Sequence, residues 1–339
     1  MTRSSGMILL WGLGLGIADQ SVATEPWEAL VALDGSGNFK TVQEAIDAAP
    51  PEGSVIRIKP GTFREVILVN KAHLSLIGLG SDPAQVVLTY DLYNGATGST
   101  FKSASTTVIG DNFYAENLTF ENSYSRDKNL KKEGAQAVAL RVSGDRAVFR
   151  KVRFLGHQDT LYASSKGCES EQGPCLPARQ YFADCYIEGD VDFIFGDALA
   201  FFDNCEVHAL PYPMVMLTAQ SKHNPDEKSG YVFNHSRLTA AAGTGRVFLG
   251  RPWRAYATVV FMNTYMEARI DPAGWVEWIH EGKPCLQTAF YGEYNSTGPG
   301  ANPGGRETYA RQLTTAEATN FEVKKFLAGD DHWDPTLVH

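Results

Sequence analysis

Apolar positions recur along this chain in a fixed six-residue pattern: phenylalanine, two residues, a small or apolar slot, one residue, an apolar residue. The pattern appears as "FRKVRF" (149 to 154), "FADCYI" (182 to 187), "FDNCEV" (202 to 207), "FNHSRL" (233 to 238) and "FMNTYM" (261 to 266), with a weaker copy, "AENLTF", at 115 to 120. Slots fall at Leu118, Val152, Cys185, Cys205, Ser236 and Thr264, in steps of 34, 33, 20, 31 and 28 residues. Irregular steps of that size suit a solenoid whose coils carry loops of different lengths. Each slot is preceded by a polar residue: Asn117, Lys151, Asp184, Asn204, His235 and Asn263. Asparagine at half of these positions favours a bend there over a straight strand.

The stretches between slots, such as "VILVNKAHLSLIGLG" and "QAVALRVSGDRAVFRKVRF", are rich in β-branched and apolar residues. The pattern predicts an all-β fold, a parallel β-helix in which each coil is hydrogen-bonded to the next. Helical signals appear near both ends. "TVQEAIDAAP" carries Thr41 with Glu44 as a capping box, followed by Val42, Ala45, Ile46 and Ala49 on one face; "TTAEATNFEVKKFL" repeats the device with Thr314 and Glu317. Short helices here are expected to cap the open ends of the solenoid, where strand edges lack partners.

Composition and charge narrow the class. Residues 1–23 read as an export signal: Arg3, the apolar run from Met7 to Ala18, then Ser21-Val22-Ala23. The run is too short to span a bilayer, and no later stretch is membrane-spanning. A net charge of -9 argues against a nucleic-acid partner, and it requires any polyanionic substrate to be held by local contacts. Of five cysteines, Cys185 and Cys205 occupy one slot in successive coils, roughly 5 Å apart, so an exported chain is expected to join them. Cys168 and Cys175 are spaced to close a small loop, which leaves Cys285 odd.

Two acids share one register. Asp159 lies seven residues after slot Val152, and Asp192 lies seven after slot Cys185. On neighbouring coils they emerge on one face about 5 Å apart. At an effective dielectric of about 20, two such charges repel by roughly 3 kcal/mol, enough to keep one protonated near neutral pH. A neutral acid beside an ionised one supplies a proton donor and a nucleophile or base, as hydrolysis of an ester or glycoside requires.

Five ordered segments, "GTFRE" (61 to 65), "QAVAL" (136 to 140), "GHQDTLY" (156 to 162), "GDVDFIFG" (189 to 196) and "LGRPW" (249 to 253), resemble the signature segments of pectin methylesterases. The likeness runs from about Leu30 to Trp333. It implies a right-handed, single-stranded parallel β-helix, with residues 24–339 as one catalytic domain after the signal. It further implies Asp192 as nucleophile on the C6 carbonyl of a methyl-esterified galacturonate, Asp159 as acid toward methanol and then base toward water, and Gln136 and Gln158 as donors to the oxyanion. Arg251 would hold Asp192 ionised. Tyr162, Phe195 and Trp253 match positions lining the sugar cleft. The resemblance implies no cofactor and no metal; the partner is methyl-esterified homogalacturonan (pectin), the location secreted, extracellular or periplasmic, and the state monomeric.

The chain departs from the compact pattern between Tyr162 and Arg179, where the 163–178 segment is long enough either to rim the cleft or to be a plain surface insertion. Other signals carry less. His157 beside Asp159 lacks the nucleophilic serine of a triad, because no GxSxG occurs. No HExxH or close histidine pair suggests a metal. "RIK" at 57 to 59 is similar to a polygalacturonase tripeptide, yet strand alternation explains it. No acidic cluster of the pectate lyase kind is present. Sequons stand at Asn117, Asn234 and Asn295. The expected activity is hydrolysis of pectin methyl esters; the rivals are a non-pectin esterase on the same scaffold and a non-catalytic carbohydrate-binding solenoid.

Overall fold

A computed structural model describes residues 1, 27–51, 53–124, 134–166 and 175–338. Residues 2–23 of the proposed export signal lie outside the described residues, as do residues 167–174 of the insertion, Cys168 among them. Among the described residues, the strands build three sheets of eleven, seven and eight strands. Every pairing within these sheets is parallel; the only antiparallel strand pair described is a short ribbon of Ile279–His280 with Lys283–Pro284. This is a parallel β-helix.

One coil shows how the repeat makes the fold. Strand Arg179–Ala183 lies in the long sheet, Tyr186–Gly189 in the eight-stranded sheet and Ile194–Gly196 in the seven-stranded sheet. The chain then returns as Leu199–Asp203, paired with Arg179–Ala183 from Arg179↔Leu199 to Ala183↔Asp203. The 20-residue step from Cys185 to Cys205 is therefore one bare coil, and longer steps carry excursions. Alternation along each strand sends one set of side chains inward. All six slot residues are at most 2% exposed. The phenylalanines that open the pattern stack down the interior: Phe149 on Phe182 at 4.8 Å, Phe182 on Phe202 at 4.7 Å, Phe202 on Phe233 at 4.4 Å and Phe233 on Phe261 at 4.7 Å. Truncating such a buried ring to alanine typically costs about 3–5 kcal/mol.

The polar residues before the slots make the bend between the long and eight-stranded sheets. Asn117, Lys151, Asp184, Asn204, His235 and Asn263 all have φ between 49° and 56°. That left-handed conformation costs a non-glycine residue about 1–2 kcal/mol, least for asparagine, whose amide bonds locally. Asn117 Nδ2 donates to the carbonyls of Gly78 at 2.9 Å and Gly80 at 2.6 Å, which commits this sequon's amide to the backbone.

The terminal helices differ in their use. Helix Val42–Ala48 buries Val42, Ala45 and Ile46 in the main core at the N-terminal end. Its capping is shared: Thr41 Oγ1 accepts from the Glu44 amide, while Glu65 on a nearby coil takes the Val42 and Gln43 amides at 2.8 and 2.9 Å. At the other end the Thr314–Glu317 capping box is complete. The short helices Thr315–Ala318 and Val323–Phe326 lie on the flank of the long sheet rather than over its open end, with Phe326 against Phe201. The outer face of that sheet is itself apolar here (Val148, Phe201, Val232, Val260), so it draws the tail sideways. Arg179 fixes the tail, pairing with Asp145 on one side and Asp331 on the other.

The expected Cys185–Cys205 disulfide is not formed; both are buried free thiols, as is Cys285. Parallel, in-register coils project the two side chains side by side into the core instead of toward each other, and bridging needs converging Cβ vectors. Each thiol instead points at carbonyl oxygens, Cys185 Sγ at Ala183 (3.3 Å) and Cys205 Sγ at Phe182 (3.4 Å). Cys175 is disulfide-bonded.

Candidate active site

The seven-stranded sheet carries the predicted acids at its strand entrances. Leu161 pairs with Ile194 and Tyr162 with Phe195, so Asp159 and Asp192, each two residues earlier, stand in one register on adjacent coils. Hydrogen bonds continue the ladder through both turns: Asp190 N to His157 O at 3.1 Å, Asp159 N to Val191 O at 3.1 Å and Leu161 N to Phe193 O at 2.8 Å. Both acids are left-handed, with φ of 65° and 51°. Such backbone persists only where the surroundings over-determine it. Gly189 is part of that fit, since a Cβ there would lie 2.5 Å from His157 O and 2.3 Å from Phe193 Cβ.

Gln136 and Gln158 sit on the neighbouring side. Ala137 N donates to Gln158 O at 3.1 Å, which sets Gln136 one coil from Gln158 and Asp159. The Gln136 side-chain oxygen is buried without a hydrogen-bond partner.

Arg251 comes from the opposite side, two coils beyond Asp192. Ile194 pairs with Thr218, and Thr218 with Gly250. A Cβ at Gly250 would lie 2.0 Å from Thr218 Oγ1, so glycine lets the chain pass close to that coil before Arg251 reaches across it. The guanidinium grips Asp192 as a fork, Nε to Oδ1 at 2.8 Å and Nη2 to Oδ2 at 2.5 Å. Asp192 is 6% exposed. Burial pushes its carboxyl above the usual range, and the Arg251 fork opposes that rise. Two matched N–H donors on two oxygens favour the ionised form.

The aromatic residues form a row on the outer face of the same sheet. Tyr162 stacks on Phe195 at 4.5 Å and 5°, and Trp253 meets Phe195 edge-on at 6.0 Å. Tyr162 and Phe195 are 4% and 3% exposed, so they spend most of their surface on each other. The partly buried ends of the row, Trp253 and Phe101, have more ring left to offer a ligand. Phe101, 5.4 Å from Tyr162, was not legible as a site residue, because it comes from an excursion outside the repeat. A broad hollow of about 890 Å³ lies on another flank, lined by Ser81, Asp82, Lys151, Arg153 and Asp184 among others; it contains none of the predicted site residues.

Two further neighbours had weak or no sequence signal. His157 Nδ1 is 3.1 Å from Oδ2 of Asp190, a 2% exposed acid, so a hydrogen bond joins the two turns that carry Asp159 and Asp192. The "GDVD" spacing hints at Asp190, since it precedes Asp192 as His157 precedes Asp159. Trp278, whose indole lies 4.3 Å from the Arg251 guanidinium carbon, follows no repeat. Among the described residues, no group of three or more His, Cys, Asp and Glu side chains is placed to hold a metal ion. The 163–178 excursion returns through an antiparallel bridge between Lys166 and Leu176, and its base is held by Asp197, which accepts from the Ser165 amide at 2.8 Å.

Comparison with known proteins agrees with this architecture. The family model described as Pectinesterase matches residues 28–330. Probable pectinesterase/pectinesterase inhibitor 17 of Arabidopsis thaliana is 40% identical over 322 residues, which take in 91% of this chain and 58% of that protein. The chain thus spans a little over half the length of such curated relatives. Pectin methylesterase from carrot superposes with a TM-score of 0.80 at 35% identity, over 92% of this chain and 96% of that one. A pectin methylesterase in complex with a hexasaccharide gives 0.77 at 32%, over 92% and 99%. The matched family model covers the whole run of coils that carries Asp159, Asp192 and Arg251, and the chain belongs to the pectinesterase family.

Proposed function

We propose that this chain is an exported, monomeric pectin methylesterase, with residues 24–339 as its catalytic domain, which hydrolyses C6 methyl esters of homogalacturonan to methanol and free galacturonate. The observation that carries the reading is the Arg251 fork on buried Asp192, with a second acid, Asp159, in the same register one coil away. An oxygen of ionised Asp192 attacks the ester carbonyl. The N–H groups of Gln136 and Gln158 receive the oxyanion, a role in which losing one donor typically costs about 100-fold or more in rate. Collapse breaks the bond to methoxide, which leaves as methanol with the proton of Asp159, and a mixed anhydride on Asp192 remains.

Asp159, now ionised, takes a proton from water as the hydroxide adds to the substrate carbonyl. The anhydride opens, Asp192 regains its carboxylate, and the product carboxylic acid releases its proton to solvent. With Asp192 charged and paired, repulsion between the two neighbouring carboxylates favours the resting proton on Asp159. The solved hexasaccharide complex of a related esterase supports a carbohydrate chain as the substrate, with Trp253 and the Tyr162–Phe195 stack as its aromatic bed.

The test is methanol release from esterified pectin by the purified chain and by Asp192→Asn. Loss of activity in the variant is expected, with the circular-dichroism spectrum of the folded β-helix retained. Full activity in Asp192→Asn would remove the proposed mechanism, and an inactive wild type would remove the proposed function.

A further inference from the structure

We infer that Trp278 is a positioning residue that holds Arg251 for Asp192, an inference that rests on the proposed esterase reading for its rate consequences. Asp192 grips one edge of the guanidinium through Nε and Nη2. A planar cation gripped at one edge is still free to pivot about that edge. The Arg251 Cζ sits over the Trp278 ring, 4.3 Å from its centroid, so the indole stands in the way of that pivot. The Arg251 side chain is 24% exposed, so this ring also shields it from water. Cation–π attraction is strongest with tryptophan and grows as water is excluded.

The segment that carries Trp278 is built to hold the ring there. Leu249 N donates to Gly274 O at 2.8 Å and Val276 N to Gly250 O at 3.1 Å, so the strand ending at Arg251 is bonded directly to the segment leading to Trp278. Trp275, in the same segment, is anchored in the core, stacked on Tyr291 at 3.7 Å. Oε1 of Glu277 then accepts three amides, from Trp278 (2.9 Å), Cys285 (2.8 Å) and Leu286 (3.0 Å), and closes the ribbon of Ile279–His280 with Lys283–Pro284. Trp275 serves the core, whereas half-buried Trp278 offers its π face to the Arg251 cation. Trp278 thus acts through Arg251 and makes no bond to the reacting atoms.

The experiment compares Trp278→Ala, Trp278→Leu and Trp278→Phe in the full chain. Methanol release is measured as kcat and KM across pH, and the ionisation of Asp192 is followed by carbon NMR on aspartate-labelled protein, assigned with Asp192→Asn. The other charged or titratable groups near Asp192, namely Arg251, Asp159, Asp190, His157 and the buried Tyr291 hydroxyl, remain in every variant. Trp278→Ala is expected to lower kcat about ten-fold with KM within about two-fold, and to move the Asp192 titration to higher pH. Trp278→Phe keeps most of the activity, while Trp278→Leu, with bulk but no π face, behaves as alanine does. An unmoved Asp192 titration in Trp278→Ala overturns the inference whether or not the wild type releases methanol. So does a rise in KM at constant kcat, which would make Trp278 a direct sugar contact. A wild type without activity but with the shifted titration would leave the positioning role standing and reject the esterase reading.

Discussion

Removing the cation from the Arg251–Asp192 pair tests the core of the proposed chemistry. Arg251→Met keeps the stem and deletes both charge and fork, leaving a 6% exposed carboxylate without its partner at 2.8 and 2.5 Å. Breaking a buried pair from one side typically costs about 3–5 kcal/mol. The protein avoids most of that cost by letting Asp192 take up a proton. At 1.36 kcal/mol per tenfold, a penalty of about 3 kcal/mol means roughly 100-fold less ionised nucleophile at a given pH. Burial already drives the carboxyl upward and is then unopposed, so the sign is fixed: activity in the variant should recover as pH rises. Enzyme-dependent methanol release, corrected for spontaneous hydrolysis and measured from about pH 5 to 9, is the assay. The expected result is a loss of about 100-fold near neutrality and an acid limb displaced to higher pH. Adding Asp192→Asn to Arg251→Met should abolish the remaining activity without lowering the melting temperature further. A variant with wild-type rate, or one whose loss is the same at every pH, would refute the reasoning.

Three other outcomes are expected. Gln136→Ala and Gln158→Ala should each reduce kcat about 100-fold with little change in KM, as steady-state kinetics would reveal; a change confined to KM would assign them to ground-state binding instead. Alkylation of the unfolded, unreduced chain should label Cys185, Cys205 and Cys285, and a cross-linked Cys185–Cys205 peptide in the digest would contradict the coil geometry. Asp331→Asn should lower stability by about 1 kcal/mol or less at neutral pH, given the exposure of Asp331. Because Arg179 holds the Asp331 carboxyl below its usual range, that contribution is complete above about pH 4 and lost as pH falls further. Melting curves of the two proteins should therefore converge in acid, and a constant gap would exclude the pair as its source.

The repeat was legible because a solenoid writes each coil with the same local grammar. Slots, bends and the Phe149-to-Phe261 ladder follow from residues within a few positions of one another. The shared register of Asp159 and Asp192 was legible for the same reason, since stacking converts equal offsets from two slots into spatial adjacency. What escaped the sequence depends on direction or on distant excursions. Cys185 and Cys205 satisfy the spacing for a bond, but spacing says nothing about where Cβ vectors point. Trp278 reaches Arg251 through a ribbon outside the repeat, and Phe101 joins the aromatic row from another excursion. The C-terminal helices were expected over the open end because exposed strand edges need covering; the apolar stripe Val148, Phe201, Val232 and Val260 on the sheet flank offered a larger surface.

The bridge between Lys166 and Leu176 closes the long excursion at its base, so its length is decoupled from the ladder beneath. Evolution or an engineer can therefore lengthen, shorten or exchange that loop while Asp192 keeps its place against Asp159. Whether the segment rims the aromatic row or is a plain surface insertion, rewriting it should leave the melting temperature of the β-helix nearly unchanged.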